Sequence, residues 1–119
     1  MLIINNCVCI KKGYTRAEFI RSPLYDNQDM SMLFWLDQVV DIAGLDGKFG
    51  IGFYFGRKVL KSVYLSYHGE DGIFEDDIEK KYQQQIPITE ILKKLNPDAV
   101  SIVNAKDLRS YQALIIIDY

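Results

Sequence analysis

The chain has 119 residues, 49% of them hydrophobic, 25% charged and 13% aromatic, with a formal net charge of −2. That length fits one domain, residues 1–119, with core enough to fold without disulfides or metal. No stretch approaches the roughly 20 apolar residues of a membrane span, and no basic cluster rises above the acidic background, so neither a membrane nor nucleic acid is an expected partner.

Residues 2–10 read as a strand with apolar residues on both faces, in which Asn5 and Asn6 mark an edge or a bulge. Cys7 and Cys9 then share one face of that strand, where a mutual bridge would be strained. They are expected as reduced, buried thiols of an intracellular protein. Met1-Leu2-Ile3-Ile4 has no basic n-region, so no signal peptide is read here and a cytoplasmic location is expected.

Thr15-Arg16-Ala17-Glu18 has the form of a capping box. The short helix it opens must stop near Ser22, because Pro23 disfavours helical geometry before it. After a polar loop, the pattern over 30–43 predicts a helix. Ser31, Asp37, Gln38 and Asp41 fall on one side, and Met32, Leu33, Leu36, Val39, Val40 and Ala43 on the other. Asp29 is its N-cap and Gly44 its C′ residue. A strand through Met32–Leu36 competes with that helix.

The clearest β signal is a central hairpin over 48–67. Phe49, Ile51, Phe53 and Phe55 alternate with Gly50, Gly52, Tyr54 and Gly56, and the alternation resumes from Val59 to Tyr67. One face of the first strand is large apolar groups and the other mostly bare backbone, a pattern that predicts close approach or covering by an aromatic ring, Tyr64 or Trp35. Residues 68–76 form a loop. A helical turn over 76–84 would pair Asp76 with Lys80 and Asp77 with Lys81. Pro87 is expected to interrupt it, and a second short helix runs through Ile88, Ile91, Leu92 and Leu95 to Asn96-Pro97. Val100–Val103 reads as a strand, Asn104 as the cap of one turn, and Tyr111–Asp118 as a closing strand whose two apolar faces place it centrally. The fold class is therefore α+β: about five strands in a mostly antiparallel or mixed sheet, with two to three helices.

Chemistry is sparse. His68 is the only histidine, beside Ser66, Glu70 and Asp71, and reads as a surface residue because nothing nearby has the form of a nucleophile elbow. Cys7, Cys9 and His68 are too few for a structural zinc site. Gly50, Gly52 and Gly56 lie inside a strand, whereas dinucleotide fingerprints and P-loops need glycines in a strand-to-helix turn. No catalytic, cofactor or metal residues are assigned, and the chain is not expected to be an enzyme.

Charge comes in alternating blocks of +3 over 1–25, −5 over 26–46, +4 over 47–61, −6 over 70–79 and +2 over 80–119. Blocks of this kind can steer an oppositely charged partner. The 70–79 block embeds Ile73 and Phe74 among its carboxylates, which joins steering charge to an apolar anchor. Eight tyrosines add residues suited to interfaces. In size, acidity, Asp and Tyr usage and absence of a catalytic motif, the chain resembles the small bacterial immunity proteins that neutralise secreted or contact-delivered toxins, as in contact-dependent growth inhibition. The resemblance implies a tight complex with a basic toxin domain, often a nuclease, whose substrate cleft is blocked by charge and bulk. The expected partner-binding residues are Glu70, Asp71, Glu75, Asp76 and Asp77 for charge and Phe74 for anchoring, with Asp37 and Asp41 as a second patch. Two other classes stay open. One is a small acidic secretion chaperone or adaptor. The other is a ligand-binding domain or enzyme using a pocket beneath the glycine-rich strand.

Overall fold

The structure is a computed structural model and describes residues 1–119. Seven strands form two antiparallel sheets and two helices complete the α+β fold. In chain order they are β1 (Leu2–Ile4), β2 (Val8–Ile10), α1 (Arg16–Ile20), β3 (Phe34–Trp35), β4 (Phe49–Phe55), β5 (Leu60–Tyr67), α2 (Ile78–Leu95), β6 (Ser101–Asp107) and β7 (Gln112–Asp118). The larger sheet has the order β3-β4-β5-β7-β6, and β1 pairs only with β2.

The predicted hairpin forms, with Phe49 opposite Tyr67, Ile51 opposite Leu65 and Phe53 opposite Val63. Because side chains alternate along a strand, these residues share a face with Ile115 and Ile117 of β7 and Ile102 of β6. The β1–β2 hairpin, α1 and α2 all pack on this face, in one core of 21 buried residues. Phe19 of α1 lies at its centre, with its ring centroid 5.2–5.6 Å from those of Phe34, Phe53 and Phe55. The capping box holds α1 as expected: Thr15 Oγ1 accepts from Glu18 N at 3.0 Å and Thr15 N donates to Glu18 Oε1 at 3.2 Å.

Five expectations are corrected. Residues 2–10 are not one strand but a tight hairpin, because Asn5 and Asn6 both adopt positive φ, 52° and 57°. Asparagine tolerates that conformation better than other residues with a Cβ, and two in succession make the turn favoured between twisted antiparallel strands. The tip turns Cys7 outward, and Cys9 faces solvent on β2, so both thiols are exposed and free rather than buried.

The helix over 30–43 does not form. Phe34 and Trp35 pair with Phe53 and Gly52 as an edge strand, Leu36 N donates to Ile51 O at 3.0 Å, and Val40 exchanges hydrogen bonds with Phe49. The competing strand wins because it satisfies the open edge of β4, and because aromatic and β-branched residues suit a strand. Val40 and Ile42 are buried while Val39 and Asp41 are exposed, a period of two.

Pro87 does not interrupt α2, which runs unbroken through it. The ring is on the exposed side of the helix, where water can hydrate the carbonyl left without a donor. Asn104 caps no turn; it lies within β6, opposite Ile115. β7 is central as predicted, yet Leu114 and Ile116 are only half-buried. Neither helix nor the β1–β2 hairpin covers the second face of the sheet, where Trp35, Tyr54 and Val103 remain 38%, 42% and 51% exposed.

Candidate functional site

The site is built where the large sheet splits. Pairing between β5 and β7 ends at Leu65–Ile115, although β5 continues to Tyr67 and β7 begins at Gln112. The N-terminal half of α2 closes this gap with polar side chains. Gln85, fully buried, accepts from Tyr67 N at 2.9 Å and donates to Asn104 Oδ1 at 3.0 Å. Asn104 donates in turn to Tyr82 O at 3.0 Å. The backbone donor that β7 leaves behind is thus satisfied by a helix side chain, as burial requires.

One turn before Gln85, Lys81 enters the same gap. It is 3% exposed, and its Nζ donates to Ser66 Oγ at 2.6 Å. The ammonium also lies 3.9 Å from the centroid of the Phe74 ring, a cation–π contact. It has no carboxylate partner: Glu75, the acid whose charge acts on it, pairs with Lys80 at 3.1 Å. Burial therefore pulls the Lys81 pKa below its ordinary value, with Glu75 opposing. The expected Asp76–Lys80 and Asp77–Lys81 pairs do not form, because Lys80 turns to Glu75, Lys81 turns inward, and Asp77 caps α2 by accepting from Lys80 N at 3.1 Å.

Lys81, Ser66 and Gly50 border a cavity of about 360 Å³, walled by Trp35, Phe74, Tyr111 and Leu114. The glycine-rich strand forms its floor. The predicted aromatic covering is present: a Cβ at Gly52 would lie 3.0 Å from Trp35 Cδ2, and one at Gly50 would meet His68 Nε2 at 3.0 Å. Trp35 in turn leans on Tyr64, with 6.5 Å between ring centroids. His68 is not a surface residue. It stands half-buried in the cavity wall, edge-on to Phe74 at 5.4 Å. Its pKa is lowered, by burial first and by Lys81 second.

The expected partner-binding residues divide into three groups. Glu70 and Asp71 are exposed, and with Asp46 they surround Tyr67, whose phenol is pushed up by burial first and then by these three charges. Asp41 joins this side by bordering one cleft with Asp46 and Glu70, paired there to Lys48. Phe74 is 58% exposed and Ile73 69% exposed. Asp76 is exposed beside them, whereas Glu75 and Asp77 are engaged at the start of α2. Asp37 is separate, in a different cleft with Asp26 and Trp35. Asp37 and Asp41 thus border different clefts.

Sequence reasoning missed Ser66 and Lys81. Nothing marks a lysine in a charged helical segment as buried, and only the position of Ser66 on the glycine face of the hairpin hinted at its role. No group of three or more His, Cys, Asp and Glu side chains converges as metal ligands would, and no helix is long and apolar enough to cross a membrane. Comparison with protein-family models, with curated proteins and with solved structures finds no match.

Proposed function

We propose that this domain is a binding protein that neutralises a basic toxin domain by tight complex formation in the bacterial cytoplasm, in the manner of the immunity proteins it resembles. The observation that carries the reading is the 70–77 loop, where Ile73 and Phe74 stand 69% and 58% exposed among carboxylates. An apolar anchor ringed by charge of one sign combines steering with burial. Tyr111, 77% exposed, borders the same cavity as Phe74, and the uncovered sheet face with Trp35 adjoins it. Exposed apolar groups gathered in this way mark interaction surfaces. Glu70, Asp71, Asp76 and Asp41 supply the field, Phe74 the anchor, and Glu75 and Asp77 hold the loop to α2. Asp37 falls outside this surface. Two exposed free thiols suit a reducing compartment.

The test is affinity capture of the tagged protein from its native host, followed by reconstitution with the captured partner. A stoichiometric basic domain whose activity is blocked supports the reading. Association should then slow for Asp76→Lys, more so at low salt. Recovery of the protein alone, or only with itself, overturns it.

A further inference from the structure

We propose that the cavity at the β5–β7 split is a binding site for a small monocarboxylate with a flat apolar body, seated on Lys81 and Ser66. The inference is independent of the protein-partner reading and rests on a buried charge without a counter-charge. The Lys81 ammonium has three donors, and one is used, on Ser66 Oγ. Phe74 offers it only a ring face. A buried ammonium is expensive unless paired and hydrogen-bonded, and a well-packed methionine would fill the same space without that cost. The charge borders an open cavity, so an anion entering there would receive hydrogen bonds from Lys81 Nζ and from the Ser66 hydroxyl.

The remaining walls define the rest of the ligand. Trp35, Phe74, Tyr111 and Leu114 surround a space of about 360 Å³, at the small end of ligand pockets. At the floor the His68 imidazole lies against Gly50, where a Cβ would meet its Nε2 at 3.0 Å, so a flat ring extends the apolar walls. Glu75 also borders the cavity. Because Glu75 is taken up by Lys80, Lys81 is the one cation left to balance an anion, so a single negative charge is matched and a phosphate dianion leaves one charge uncompensated. His68 also borders the cavity, with its proton affinity lowered by burial first and by Lys81 second.

The experiment titrates the protein with benzoate, phenylacetate and indole-3-carboxylate, each against its neutral primary amide and against inorganic phosphate. Trp35 is the only tryptophan and stands in the wall, so its fluorescence reports occupancy, and backbone NMR shifts locate it. At least one carboxylate should bind saturably with Kd of about 1 mM or tighter, perturb residues 66 and 81, and outbind its amide by roughly tenfold or more, the scale of a charge-assisted contact. Lys81→Met should abolish that preference while the melting temperature holds or rises. Ser66→Ala should weaken binding by a smaller factor, and it serves alone if Lys81→Met does not fold. Equal binding of acid and amide, binding that survives Lys81→Met, competition by phosphate at equal strength, or no saturable binding by any of the three acids would each overturn the proposal.

Discussion

The two ends of the β4–β5 hairpin face opposite problems. Near α1, the Phe19 ring fills the space between Phe34, Phe53 and Phe55, and the one charge at its edge, Arg16 over Phe55, donates to the Met30 and Gly56 carbonyls. Near the start of α2, the sheet opens and Lys81, Gln85, Asn104 and Ser66 occupy the gap. The first region is held by dispersion and by exclusion of water, which need no direction. The second is held by hydrogen bonds that must be aimed, and one charge in it is left without a partner. A protein selected only for stability would fill both ends alike, so the polar end is where function should be sought.

Substitutions can sharpen that contrast. The largest effect is expected from Phe19→Ala, which empties the centre of the aromatic cluster and should cost about 3–5 kcal/mol in denaturant unfolding. Gln85→Ala should cost less, about 1–3 kcal/mol, because it strands the Tyr67 N–H and one Asn104 acceptor in a buried site. Accelerated amide exchange at Tyr67 would locate the damage there, whereas unchanged exchange would mean that the network is ornamental. Asp77→Ala removes the α2 N-cap and should cost about 1 kcal/mol, read as fraying of the first helical turn by NMR. Lys81→Met should be neutral or stabilising, since it removes a buried ammonium. A marked loss of stability would break the comparison, because it would make Lys81 a structural residue.

The smallest effect concerns pH. His68 has its pKa lowered in the folded state by burial first, then by Lys81 on α2, with a hydrogen bond involving the Gly72 backbone in its own loop opposing. Glu75 borders the same cavity, paired there with Lys80. A base whose folded pKa lies below its unfolded one binds more protons when unfolded, so stability rises with pH in that window. The contribution is complete above the ordinary imidazole value of 6.5 and is lost as pH falls through the folded value. His68→Phe should flatten stability against pH below that point, and a slope that persists would assign it to the carboxylates.

Much of the fold was legible because local chemistry agreed with tertiary demand. The Phe and Gly alternation over 49–55, the Thr15–Glu18 box and the all-apolar run of β7 each specify one local answer. Residues 34–42 offer apolar groups at both helical and alternating spacing, so a helix and a strand both bury something there, and the decision falls to the vacant edge of β4. At Pro87 the rule that proline breaks helices gave way because the ring faces water. The acidic loop was legible as charge, but the pairing of Glu75 with Lys80 and the capping by Asp77 were not, since neither can be read from spacing alone.

By itself, the sequence determined the class α+β, the central hairpin, α1 and the composition of the exposed loop, because those features depend on neighbours within a few residues. Only the tertiary structure decided that α2 is continuous, that the 34–42 segment is an edge, and that Lys81 lies buried against Ser66. The last of these depends on where β7 parts from β5, and that meeting of segments some fifty residues apart leaves no periodic trace in the chain.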